Sequence, residues 1–161
     1  MRRFTCIALC LIGCASAGAA TPRPTNLPAG ELTRSDGRAE SLAGVLAGSV
    51  TVIDLWATWC TACELERPKL ERLNAAYGAQ GLRVIGLNVG ESPSVVSAYL
   101  GEKHVSYPIY LDPDFRVADA LGEKRLPTIL VVDPGGRILH RAPSLNAETL
   151  ALIKAKLSLN P

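Results

Sequence analysis

Cys60 and Cys63 stand with two residues between them in the stretch WATWCTACELERP, residues 56–68. A pair at that spacing can exchange a disulfide with another protein, supply half of a zinc site, hold Cu(I), or staple the fold. A structural zinc needs four ligands, and outside the leader only His104 and His140 could join the cysteines, with no second paired spacing. Thiolates are soft and a histidine could complete a copper site, so copper handling stays open. A structural bridge would close so short a loop that it constrains the unfolded chain little. Redox chemistry fits the pair best.

Two elements must position it. The run VTVIDLWA, residues 50–57, is rich in β-branched residues and reads as a buried strand, whereas ACELERPKLERLNAAYG, residues 62–78, repeats apolar residues at helical spacing. The pair therefore falls at a strand-to-helix corner, where unpaired N–H groups and a partial positive charge stabilise a thiolate. Cys60 precedes the helix and is expected to be the nucleophile, with a partly exposed sulfur. Cys63 falls in the first turn, more shielded, and is expected to resolve the mixed disulfide. Asp54 is an acid in an otherwise apolar strand, which is costly unless it is paired or neutral. Ser92 and Pro93 form a helix start, placing Glu91 just before that helix and beside the end of the strand LRVIGLNV.

The wider order reads as a hairpin around Asp36-Gly37, strand 50–57, helix 61–77, strand 82–89, helix 92–103, strand 107–111 and helix 113–122. Strand 128–133, a PGG turn, strand 137–142 and helix 147–157 complete it. Alternating strands and helices imply a parallel sheet, and the tight turn between the last two strands adds an antiparallel pair. The fold class is α/β, a mixed sheet with helices on both faces.

The chain of 161 residues has a one-domain length and an ordinary composition. Its start, MRRF, then TCIALCLIGC, then ASAGAA, has the layout of a secretory leader. LIGC, residues 11–14, resembles a bacterial lipobox, which makes Cys14 the expected lipidation site; cleavage near AGAA is the alternative. The expected organisation is a signal peptide over residues 1–13, a proline-bearing tether over 14–28 and the folded domain over 29–161. Without Arg2 and Arg3 the 17 basic residues become 15 against 15 acidic ones, so no charge argument for nucleic acid remains. Three of the five cysteines lie in the leader, so the folded domain holds only the one pair.

VIDLWATWCTACELERP, LNVGES and LPTILVVDPGGRIL together resemble the thioredoxin superfamily, in its extracytoplasmic TlpA/ResA-like branch, over residues 29–158. The resemblance implies a thioredoxin-like fold with an added N-terminal hairpin and one inserted helix. It matches Cys60 and Cys63 to the active-site dithiol, Trp56 and Trp59 to the aromatic residues before it, and Pro127 to a proline with a cis preceding bond. With that bond cis, the Leu126 backbone could pair with an extended partner peptide. Asp54 matches a buried acid that relays protons to the second cysteine, and Glu91 an acid placed near the dithiol. Pro68 matches a helix-kinking proline, and Glu66 also matches, as a solvated helix residue. Ala62 and Glu64 depart from the usual proline and basic residue, so neither potential nor direction of electron flow carries over.

The expected function is a thiol-disulfide oxidoreductase outside the cytoplasm, on the periplasmic side of a bacterial membrane and lipid-anchored. It would reduce disulfides in exported proteins such as apocytochromes c during cytochrome c maturation. Alternatives are a copper-binding assembly factor and an oxidase of exported thiols. Expected partners are exported disulfide-containing proteins, a membrane-bound electron donor and the membrane itself, with no nucleic acid; the protein is expected to be a monomer. No cofactor is expected beyond the Cys60–Cys63 pair, and no metal.

Overall fold

The computed structural model describes residues 22–158. β1 (Glu31–Arg34) and β2 (Ala39–Ser41) form the N-terminal hairpin, followed by α1 (Leu42–Leu46), β3 (Val50–Trp56) and α2 (Thr61–Tyr77). Then come β4 (Leu82–Val89), α3 (Pro93–Glu102), β5 (Ile109–Asp112), α4 (Arg116–Ala120), β6 (Thr128–Val132), β7 (Ile138–Ala142) and α5 (Ala147–Ser158).

The seven strands lie in the order β2-β1-β5-β4-β3-β6-β7. β3 pairs parallel with β4, and β4 with β5; β6 runs antiparallel to both β3 and β7. This is the mixed sheet expected, and the thioredoxin-like fold. β3 lies between β4 and β6, with every one of its residues buried.

Alternation along β3 sorts its side chains between two cores. Val52 and Trp56 face Leu70 and Leu73 of α2, Val96 of α3 and Ile153 of α5. Ile53 and Leu55 face Val45 of α1 and Val117 of α4. The same alternation puts Asp54 on the α2 face. Gly86, opposite Asp54 on β4, is glycine for a steric reason: an added Cβ would lie 2.6 Å from Ile109 Cδ1 and 3.0 Å from Trp56 Nε1.

Three readings require correction. The helix α1 was absent from the expected order; it has five residues, too few to register a period, and starts where Ser41 Oγ accepts the Gly44 N–H. The segment expected as a free tether is partly docked. Leu27 N–H donates to the Gly136 carbonyl, Ile138 N–H donates to the Thr25 carbonyl, and Asn26 bridges Arg137. Prolines at 24 and 28 suit a sheet edge as well as a spacer, since neither needs a ladder hydrogen bond there. The fourth helix is also shorter than the 113–122 expected, because Asp112 Oδ atoms accept the Val117 and Ala118 N–H groups and fix its start at Arg116.

Candidate active site

Cys60 and Cys63 are joined as a disulfide with their Cα atoms 5.3 Å apart. Cys60 is the N-cap of α2, and its Sγ accepts the Cys63 N–H at 3.1 Å, taking the place an oxygen cap would hold. A thiolate formed at Cys60 would sit where the helix presents its unpaired N–H groups. The expected contrast in accessibility is small in the oxidised pair: Cys60 is 6% exposed and Cys63 3%. Cys60 is thus buried in the oxidised pair rather than partly exposed, and the asymmetry between the two cysteines lies in the helix cap. Trp59, 69% exposed, stands beside the pair.

Asp54 lies beneath Cys63. A cavity of about 10 Å³ between them is lined by Asp54, Trp56, Cys63, Arg67, Tyr107 and Ile109, near the lower limit for one water. Asp54 Oδ1 is buried with no hydrogen-bond partner among the described residues. Burial pushes its carboxyl up to about 7, nearby Glu66 adds to this, and the Arg67 guanidinium opposes it. The group can therefore change protonation near neutral pH. Tyr107 is held neutral, its pKa raised by burial and by the charge of Asp54.

Glu91 does not stand free at its helix end. Its carboxylate accepts the Thr58 N–H at 2.7 Å, the Thr58 hydroxyl at 2.5 Å and the Asn88 side-chain amide at 2.7 Å. Thr58 is two residues before Cys60, so Glu91 braces the turn that delivers the cysteine. Ser92 caps α3 by position only; its hydroxyl meets Ser94. Leu126–Pro127 is cis. Thr128 pairs with Leu55, which brings Pro127 to the sheet end occupied by the dithiol corner. Among the described residues, Leu126 N–H and C=O take part in no backbone hydrogen bond outside the ladders.

Glu66 is a correction. It is 5% exposed rather than solvated, accepting from Lys69 Nζ at 2.7 Å and from the Leu145 N–H at 2.9 Å, and so ties α2 to the loop before α5. Glu64, the departure after Cys63, is also engaged. The Tyr99 hydroxyl donates to it and Arg67 pairs with it at 3.2 Å; the Tyr99 bond, then Arg67, hold its carboxyl below the usual range. Arg67 lies 5.1 Å from the centre of the Tyr99 ring, which tilts against Trp56 at 5.4 Å. Arg67 thus links Glu64 to the cavity under Cys63. Sequence reasoning missed Thr58, Arg67 and Tyr99; the only signal for Arg67 was its position one turn after Cys63, on the same helix face.

His104 is exposed after α3, and His140 lies on β7. Among the described residues no three histidines, cysteines or acids cluster as metal ligands. Cys14 and the expected signal segment lie outside the described residues.

The fold and the capped cysteine pair define a thioredoxin-superfamily protein of the TlpA/ResA-like kind. The Redoxin family profile matches residues 23–152, and the chain belongs to that family. It is 32% identical over 105 residues to the thiol-disulfide oxidoreductase ResA of Bacillus subtilis, covering 65% of this chain and 59% of that protein. It is 33% identical over 94 residues to ResA of Halalkalibacterium halodurans, covering 58% and 53%. The matched region thus spans little more than half the length of these curated relatives. Among solved structures, a thiol:disulfide interchange protein of the thioredoxin family from Chlorobium tepidum superposes with a TM-score of 0.68 at 24% identity, over 86% of this chain and 99% of that one. StoA from Bacillus subtilis superposes with a TM-score of 0.67 at 19% identity, over 81% and 99%. These likenesses concern the fold.

Proposed function

We propose that the protein is an extracytoplasmic thiol-disulfide oxidoreductase that reduces disulfides in exported proteins, apocytochromes c among them. One observation carries the reading: a disulfide capped on a helix N-terminus, with a buried acid able to titrate near neutrality one small cavity away from the second cysteine. In the reduced protein the Cys60 thiolate attacks one sulfur of the substrate disulfide, forming a mixed disulfide and releasing a substrate thiolate that takes up a proton. Cys63 then gives its proton towards Asp54 and attacks Cys60 Sγ, freeing the second substrate thiol and leaving the Cys60–Cys63 disulfide. Two electrons pass to the substrate. A membrane-bound dithiol donor must return them.

Trp59 and the Leu126–Pro127 backbone supply the docking surface for the substrate chain, and Glu91 acts as a positioning residue through Thr58. The activity is supported by the family and by the ResA relatives. The direction of electron flow is tested by equilibrating the pair against glutathione and dithiothreitol buffers. A potential near or below that of thioredoxin, about −270 mV, supports reduction, and one near −120 mV would make the protein an oxidase. Export and anchoring rest on the leader pattern. No helix among the described residues is long and apolar enough to cross a membrane. Acyl labelling of the expressed full chain, lost on Cys14→Ser, is the expected result; an unlabelled parent chain would remove the anchor.

A further inference from the structure

Resting on the oxidoreductase reading, we propose that the groove leading away from Pro127 selects substrate chains carrying acidic residues close to their disulfide. The groove has a volume of about 570 Å³ and includes Arg23, Glu123, Lys124, Arg125, Pro127 and Arg141 in its lining. Four cations thus face one carboxylate, although the whole chain carries a formal charge of only +2. The positive excess is local.

The cations divide into two pairs with different tasks. Arg141 and Arg23 both bind Glu123, which is buried, and Arg141 also donates to the carbonyls of Leu121 and Pro24. They build the wall. Lys124 and Arg125 are exposed and make no ion pair with any described residue, yet their loop is held in place. Thr128 Oγ1 donates to the Arg125 carbonyl at 2.8 Å, and the Glu123 N–H donates to the Ala118 carbonyl at 2.9 Å. Two exposed cations with no ion-pair partner among the described residues therefore project from a held backbone immediately before Leu126 and Pro127, at the sheet end that bears the dithiol corner.

An extended chain advances about 3.3 Å per residue, so a substrate lying along Leu126 passes Arg125 and Lys124 within a few residues of its target cysteine. Carboxylates at those positions gain attraction without displacing an internal partner, whereas lysines there meet like charge. Such complementarity raises association rates by about tenfold or more at low ionic strength and fades with salt.

The test uses two short synthetic peptides, each closed by an internal disulfide, one flanked by glutamates and the other by lysines. The protein is first reduced with dithiothreitol and desalted, and second-order rate constants for peptide reduction are measured. The acidic peptide should react about tenfold faster at low salt, with the ratio approaching one at high salt. In Lys124→Gln/Arg125→Gln the ratio should fall to within about twofold, with the acidic peptide losing rate and the basic one gaining it. Both side chains are exposed, so folding is preserved. Equal rates for the two peptides in the parent, or an unchanged ratio in the double variant, overturns the selectivity while leaving the oxidoreductase reading in place. Reduction of neither peptide overturns both.

Discussion

Cys60→Ser is expected to lower the rate of disulfide exchange by more than about a thousandfold, because it removes the group that forms the first new bond. Cys63→Ser should have a different signature. The first attack survives, the resolving thiol is missing, and a mixed disulfide through Cys60 accumulates. Incubation of each variant with an oxidised protein substrate, followed by non-reducing electrophoresis and mass spectrometry, separates the cases. Mixed disulfides in Cys60→Ser but not in Cys63→Ser would reverse the roles. Neither variant should unfold the domain: the bridged cysteines are three positions apart, so the loop they close restricts the unfolded chain little.

Asp54→Asn is expected to act on stability and on turnover in opposite directions. The folded protein raises the Asp54 carboxyl from 3.8 to about 7. Its neutral form is thus favoured in the folded state, and the associated stability is fully present below about pH 4, where the group is protonated folded or unfolded. As pH rises towards 7 the unfolded chain ionises first, and stability is lost. A shift of this size corresponds to about 4 kcal/mol at alkaline pH. The parent's resistance to urea should fall between about pH 4 and 7 and level off above, and the asparagine variant should lose most of that slope; parallel slopes would show that the carboxyl is not perturbed. Turnover should fall at the same time. Without a carboxylate to accept its proton, Cys63 must ionise unaided, slowing resolution by about a hundredfold or more and moving its pH dependence up towards the ordinary thiol range. Stopped-flow measurement of substrate release across pH reads this directly.

Most of the fold was legible because its elements announce themselves locally. The run 50–57 has strand composition over its whole length, α2 repeats apolar residues over four turns, and Asp36-Gly37 and Pro134-Gly135-Gly136 mark their turns. The cysteine pair and Asp54 were legible for a chemical reason: both are unusual at a strand-to-helix corner and in an apolar strand. What escaped depends on partners distant in sequence. Glu66 reads as a surface residue until the Leu145 N–H, 79 positions away, is brought against it. Glu91 reads as a helix-end charge until Thr58, 33 positions away, engages both its oxygens. Residues 24–28 read as a spacer because a single-bridge edge contact leaves no periodic trace.

That edge contact also bears on how the molecule avoids its own copies. A strand with an open row of N–H and C=O groups is a template for adding a strand from another chain. One margin of this sheet is β2, only three residues long. The other is β7, and Thr25, Asn26 and Leu27 pair with its leading end, at Gly136, Arg137 and Ile138. A domain cut to begin at residue 29 would bare the leading end of β7 and release the Pro24 contact to Arg141. The few residues ahead of the first strand therefore guard the fold against edge-to-edge aggregation, a service that matters most while a newly made chain is still folding among identical neighbours.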